Sequence, residues 1–149
     1  SHGALLAPIY GVAQDYFGPE GEFDKCFSGT PRPDVIVGVA GCYYEYGGEP
    51  VPYTPLVPMT KHAELMTLDP SLTLVVGEAD EVCAPWQSEQ AAADLKDAGY
   101  DVSVVVIPDG NHDNVAFWSQ ADGEWMRAPG DPVGLEVVRI ILDAVEAAS

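Results

Sequence analysis

The sequence predicts an α/β fold in which three parallel strands are flanked by helices. Three short apolar runs, rich in β-branched residues and bounded by turn residues, predict strands at residues 35–40, 72–76 and 102–107. Their hydrophobicity is continuous rather than alternating, which is typical of parallel strands buried on both faces. Helical segments lie between and after these runs, and this alternation indicates right-handed crossovers within one sheet.

Apolar residues at three- and four-residue steps predict three main helices. The first covers residues 1–17, where the pattern forms one wide apolar face. The second covers residues 84–98 and ends at Gly99, a residue favoured just after a helix. The third covers residues 132–148, with Asp131 as its N-terminal cap and proline in its first turn.

Two segments have the composition of loops. Residues 18–34 are rich in glycine and proline, and residues 47–58 contain four prolines, which are incompatible with a helix interior or a central strand. No internal repeat and no interior change of composition marks a domain boundary. We therefore expect residues 1–149 to form a single domain, with a short helix in the crossover between the first two strands.

The charge balance excludes several classes of partner. The chain has 149 residues, with 24 acidic residues against 6 lysines and arginines and a formal net charge of -18. Such a charge repels phosphate backbones and anionic lipids, so neither nucleic acid nor a membrane surface is expected as a partner. The N-terminus lacks the pattern of a signal peptide, and its first residue is Ser rather than Met. The chain is therefore expected to be processed or part of a longer protein, cytoplasmic by default with a secreted parent still possible.

Cysteine usage predicts neither a metal site nor a redox motif. Cys26, Cys42 and Cys83 are an odd number at wide spacings, with no CxxC pair, so reduced and buried thiols are expected. A disulfide between Cys26 and Cys42 remains an alternative. Residues 109–120 begin like a calcium loop but have Asn and Gln where the sixth and twelfth positions require Gly and Glu. No metal and no cofactor are predicted.

Candidate catalytic residues follow two of the predicted strands. Ligands of open parallel sheets bind at the carboxyl ends of the strands. The loop after the second strand carries Asp80, and the loop after the third carries His112. An aspartate beside an imidazole fixes its tautomer and leaves the other ring nitrogen as a base. Asp109 and Asp113 flank the histidine, but a neighbour in sequence rarely reaches the correct edge of the ring.

Three segments resemble the catalytic motifs of the α/β-hydrolase family, in the same order along the chain. They correspond to the second half of the nucleophile elbow, the acid loop and the histidine loop: Ser1-His2-Gly3, Gly77-Glu78-Ala79-Asp80 and Gly110-Asn111-His112-Asp113. The resemblance covers the whole chain, as the C-terminal half of a family member. Carboxylesterases and related acyl hydrolases are the members that it resembles most.

The resemblance implies a partial α/β-hydrolase fold without its N-terminal strands, and a role for each matching residue. Ser1 would be the nucleophile of an acyl-enzyme, His112 the base, Asp80 its orienting acid, and the backbone N-H of His2 an oxyanion donor. A small-molecule ester is the expected substrate. The strand leading into the elbow and the loop with the second oxyanion donor are not in this chain, so weak activity of the chain alone is expected.

Other interpretations stay open. An oligopeptidase-like peptide hydrolase has the same motif order, and a non-catalytic binding domain or inactive fragment would need no complete oxyanion hole. A nucleophile activated by its own α-amine is disfavoured, because such sites begin on a strand. Tyr43, Tyr44 and Trp86 follow the first strand or the acid loop, where they either line a substrate pocket or pack in the core.

Overall fold

Strands and helices alternate along the chain. The computed structural model describes residues 33–51, 56–61, 63, 70–116, 118–121, 124–127 and 131–148. In chain order, the elements are β1 (Val35–Val39), β2 (Glu45–Tyr46), β3 (Glu49–Pro50), α1 (Leu56–Lys61), β4 (Ser71–Gly77), α2 (Pro85–Asp97), β5 (Val102–Ile107), α3 (His112–Val115), β6 (Trp118–Ala121), β7 (Glu124–Arg127) and α4 (Pro132–Ala147).

The three predicted strands form one parallel sheet in the order β1-β4-β5. Val35 pairs with Ser71, and Leu72 pairs with Val102, so both neighbours of β4 run parallel to it. The strands begin and end within one residue of the predicted bounds. The α/β prediction is therefore confirmed, and the carboxyl ends of all three strands lie at one edge of the sheet.

Burial on both faces is confined to the central strand. Leu74, Val75 and Val76 of β4 are at most 1% exposed. In β1, by contrast, more buried residues alternate with less buried ones, and in β5 the side chains of Ser103 and Val106 are exposed. The prediction of two-sided burial is thus wrong for β1 and β5. Their hydrophobicity is continuous, but the covering helices bury the middle of the sheet more completely than its edges.

The helices cover the two faces of the sheet with separate clusters. On one face, α2 buries Ala91 and Leu95 in a cluster with Leu72 and Leu74 of β4. On the other face, α4 buries Val137 and Ile140 in a cluster that includes Val75 and Ile107. Neighbouring residues of β4 thus enter opposite clusters, as the pleat of a strand requires.

Helix α4 begins as the sequence predicts. The Asp131 carboxylate accepts hydrogen bonds from the backbone N-H groups of Val133 at 2.9 Å and Gly134 at 3.4 Å, and Pro132 stands at the first helical position. Among the helices in the described ranges, none combines the length and apolar character needed to cross a membrane.

The predicted loop of residues 47–58 contains regular structure instead. Strand β3 lies within this segment and forms a hairpin with β2 around Gly47 and Gly48, whose φ values of 58° and 84° suit a tight turn. Pro58 lies in the first turn of α1, where a missing N-H breaks no helical hydrogen bond. Strands β6 and β7 form a second unpredicted hairpin. The predicted helix at residues 1–17 lies outside the described residues.

Candidate functional site

Asp80 is buried immediately after the central strand β4. It is 2% exposed, and its Oδ1 atom accepts hydrogen bonds from the backbone N-H groups of Val82 at 2.9 Å and Cys83 at 2.7 Å. Its Oδ2 atom lies 3.0 Å from Nδ1 of His112. Burying an unpaired carboxylate is unfavourable, but here both oxygens have partners. The loop therefore holds the carboxylate in one position.

The end of β4 and the loop after β5 cross at two glycines. A Cβ atom on Gly77 would overlap the carbonyl group of Gly110, so the two backbones approach more closely than a side chain allows. At this crossing, the N-H of Ala79 donates to the Gly110 carbonyl at 2.7 Å, and the N-H of Glu78 donates to the Ile107 carbonyl at 2.9 Å. These contacts set the separation between the acid loop and the histidine loop.

His112 begins the four-residue helix α3. Its neighbour Asn111 caps this helix, because its side-chain oxygen accepts from the N-H groups of Asp113 at 3.0 Å and Asn114 at 2.9 Å. The Asn114 side chain accepts from the Asn111 N-H at 2.7 Å in return. Asp109 has a φ of 57°, a left-handed conformation that aspartate tolerates. The backbone of the histidine loop is thus fixed from both sides.

The geometry of the pair suits an imidazole base. With a proton on Nδ1 donated to Asp80, His112 presents Nε2 as the nitrogen that can accept a proton. Its side chain is 18% exposed, whereas that of Asp80 is fully buried. The carboxylate therefore contacts the ring from the protein side, and the ring retains an exposed portion at the carboxyl edge of the sheet.

A disulfide links two of the loops at this edge. Cys42, just after β1, is bonded to Cys83 in the acid loop, with Cα atoms 4.6 Å apart. The expectation of reduced thiols is therefore wrong for these two residues, and the alternative pairing of Cys26 with Cys42 is also wrong. Strands β1 and β4 are parallel neighbours, so the residues that follow them meet, although they are 41 positions apart. Cys26 lies outside the described residues.

Of the three candidate pocket aromatics, two form a stacked pair. The rings of Tyr44 and Trp86 have centroids 5.7 Å apart and are inclined by 21°, and the Tyr44 hydroxyl donates to Asp94. Trp86 is 45% exposed, so part of this pair faces solvent. Tyr43 is 1% exposed and belongs to a core cluster, so it packs in the core and does not line a pocket. Burial raises the pKa of its hydroxyl.

Gln87 connects two segments near the candidate aromatics, a role that the sequence does not predict. Its side chain is fully buried in the first turn of α2, and its Oε1 atom accepts from the N-H groups of Tyr44 at 2.9 Å and Glu45 at 3.0 Å. It thus joins the loop after β1 to the helix after the acid loop. Gln87 stands among polar residues at the start of a helix, where a glutamine is usually exposed, so the sequence did not indicate this role.

The predicted nucleophile and oxyanion donor, Ser1 and His2, lie outside the described residues. The structure thus brings together Asp80 and His112 of the predicted catalytic set. A family model described as the prolyl oligopeptidase family matches residues 43–128, which include both of these residues and more than half of the chain.

The chain belongs to the prolyl oligopeptidase family. This family lies within the α/β-hydrolase superfamily, so the predicted resemblance is confirmed at that level. The match includes strands β4 and β5 with the loops that follow them, and it ends before α4. No curated protein sequence matches the chain.

The solved structure of an esterase shares its fold. The structure of esterase PE8 is 18% identical with a TM-score of 0.50, and the match covers 94% of this chain and 46% of PE8. The PHB depolymerase from Penicillium funiculosum is 19% identical with a TM-score of 0.49, over 89% of this chain and 43% of the depolymerase. The chain therefore spans less than half the length of these structures, and its fold is a partial α/β-hydrolase fold.

Proposed function

We propose that the protein is a serine hydrolase that cleaves a carboxylic ester through an acyl-enzyme. The observation that carries the proposal is the contact of 3.0 Å between the buried Asp80 carboxylate and Nδ1 of His112. Membership of the prolyl oligopeptidase family and the fold shared with an esterase support a hydrolase. Both residues follow neighbouring parallel strands, where α/β proteins bind their ligands.

In the proposed mechanism, His112 Nε2 takes the proton of the Ser1 hydroxyl as Oγ attacks the ester carbonyl. Asp80 holds the ring in the required tautomer and stabilises the imidazolium that forms. The backbone N-H of His2 donates to the oxyanion of the tetrahedral intermediate. His112 then gives its proton to the leaving alcohol, and a water molecule, activated by the same imidazole, releases the acid and regenerates Ser1.

The test is active-site labelling of the full-length parent protein with a fluorophosphonate, followed by mass spectrometry of the modified peptide. We expect the adduct on Ser1, with labelling strongly reduced in His112→Ala. The matched control is Asp109→Asn, which removes an exposed charge near the histidine and suits the left-handed backbone there. A protein that takes no label, or takes it at another residue, would contradict the proposal and favour a non-catalytic binding domain.

Peptide hydrolysis is the second candidate, and the family match over residues 43–128 favours it. The same acyl-enzyme chemistry serves esters and amides, so the two candidates differ in the leaving group alone. Turnover of a nitrophenyl ester and of a peptide nitroanilide with the same acyl part separates them. A higher kcat/KM for the ester supports the first candidate, and a higher value for the peptide supports the second.

A further inference from the structure

The sulfur of Cys83 lies in the same cluster as the Asp80 and His112 side chains. The Sγ atom of Cys83, a carboxylate oxygen of Asp80 and a ring nitrogen of His112 lie within 4.8 Å of one another. Thiolate, carboxylate and imidazole are the three ligand types that Zn²⁺ takes in proteins. Ligand atoms on a tetrahedral Zn²⁺ are roughly 3.3–3.8 Å apart, given its bond lengths of about 2.0–2.3 Å. A contraction of about 1 Å would therefore bring these atoms onto one ion.

The disulfide keeps this sulfur from acting as a metal ligand, because Cys83 is bonded to Cys42. We infer that reduction of this disulfide opens a Zn²⁺ site formed by Cys83, Asp80 and His112. In the reducing step, a dithiol exchanges with the disulfide: the Cys42–Cys83 bond breaks, two protein thiols form, and the dithiol becomes its own disulfide. Zn²⁺ then displaces the proton of the Cys83 thiol, and a water molecule completes its coordination.

Cys83 stays beside Asp80 after reduction, because other contacts hold its loop. The backbone N-H of Cys83 donates to Asp80 at 2.7 Å, a hydrogen bond that does not involve the sulfur. Gln87 joins the loop after β1 to α2 through two further hydrogen bonds. The formal net charge of -18 also raises the local concentration of cations. The three ligands thus remain close to one another when the thiol is released.

Binding would remove the catalytic pair from use. A Zn²⁺ ion on the Asp80 carboxylate and the His112 ring replaces the contact that orients the base. The disulfide form would therefore be the active hydrolase, and the reduced form would be inhibited by Zn²⁺. This inhibition rests on the proposed function, whereas metal binding does not.

Two single variants separate the metal site from the loss of the disulfide. Both Cys42→Ser and Cys83→Ser lack the disulfide, but Cys42→Ser alone retains the proposed ligand. Titration with Co²⁺ reports a thiolate ligand through its near-ultraviolet charge-transfer absorption, and Zn²⁺ then displaces the Co²⁺. We expect this absorption in Cys42→Ser. In Cys83→Ser, the affinity for Zn²⁺ should be at least about 100-fold weaker, because removing a metal ligand costs more affinity than removing a residue that merely contacts a ligand.

The wild-type protein provides the same comparison without substitution. Reduced anaerobically and freed of dithiol by gel filtration, it should gain the thiolate absorption that the oxidised protein lacks. Adding His112→Ala to Cys42→Ser should weaken Zn²⁺ binding. Equal absorption in Cys83→Ser, or none in either the reduced wild type or Cys42→Ser, would overturn the site. Zn²⁺ binding with unchanged ester turnover would support the site and count against the proposed function.

Discussion

The backbone of Gly77, the last residue of β4, lies directly against the carbonyl group of Gly110 in the loop after β5. No side chain separates the two backbone segments at this point. Asp80, three residues after Gly77, and His112, two residues after Gly110, therefore come within hydrogen-bond distance. The contact between acid and base is thus determined by a backbone approach that only glycine permits.

Replacing Gly77 with alanine should separate the two loops. The added methyl group overlaps backbone atoms of Gly110, which cannot move aside as a flexible side chain would. We expect a loss of about 2–3 kcal/mol in the free energy of unfolding, typical of overpacking, together with reduced ester turnover. Urea unfolding and kcat/KM check both effects.

The matched control is Gly47→Ala, since Gly47 has a positive φ but open space around it. Backbone strain alone should lower its stability by about 1–2 kcal/mol and leave turnover unchanged. Equal turnover in Gly77→Ala and the wild type would show that the crossing does not position the catalytic pair.

Asp80→Asn tests the role of the carboxylate. The amide keeps the size of the side chain but favours the wrong imidazole tautomer, so we expect kcat to fall roughly 10⁴-fold with little change in KM. Steady-state kinetics with the ester substrate measure this effect. Asp113→Asn, which changes an acidic residue next to His112, should stay within a fewfold of the wild type. Similar losses in both variants would mean that general loop damage, and not orientation of the base, explains the result.

Gln87→Leu should loosen the connection between the loop after β1 and α2. The change leaves the N-H groups of Tyr44 and Glu45 without their acceptor, so we expect a loss of about 1–3 kcal/mol in the free energy of unfolding. Gln90→Leu on the exposed face of the same helix should change stability by less than about 0.5 kcal/mol. Chemical denaturation of the two variants makes the comparison, and equal losses would contradict a specific role for Gln87.

Stability should fall at alkaline pH because of buried tyrosines. Burial raises the pKa of Tyr100 to about 12 from an ordinary value of 10.0, and its hydroxyl donates to the Met59 carbonyl at 3.1 Å. The unfolded chain therefore loses this proton at a lower pH than the folded chain. The contribution of Tyr100 is complete below pH 10.0 and is lost as the pH rises toward 12.

Between these pH values, the free energy of unfolding should decline less in Tyr100→Phe than in the wild type. Some decline should persist, because burial also raises the pKa of Tyr43 and Tyr44. Tyr46→Phe serves as the control, since Tyr46 is 54% exposed. A decline unchanged in Tyr100→Phe would exclude Tyr100 as a contributor.

The sequence was sufficient for the sheet and for the pairing of Asp80 with His112. Apolar runs specify strands, and parallel strands bring the residues that follow them to one edge. The disulfide could not be predicted in the same way. Cys42 meets Cys83 because β1 is the neighbour of β4, and the local periodicity of a sequence does not indicate the order of strands in a sheet. The hairpin of β6 and β7 was not predicted, although the dipeptide Asp-Gly, which favours two-residue hairpin turns, stands between the two strands in the sequence. Gln87 gave no signal, because a buried glutamine looks like an exposed one in sequence.

Asp80 and His112 follow strands whose backbone amides differ in their protection from solvent exchange. Asp80 follows the central strand β4, which is hydrogen-bonded on both sides, whereas His112 follows β5, which in the described sheet has β4 as its neighbour on one side. Backbone amides at such a margin exchange with solvent through local opening, and those of a central strand exchange only when most of the domain unfolds. We therefore expect the backbone amides of β5 to exchange with solvent faster than those of β4, so that local opening is more frequent on the side of the base than on the side of the acid.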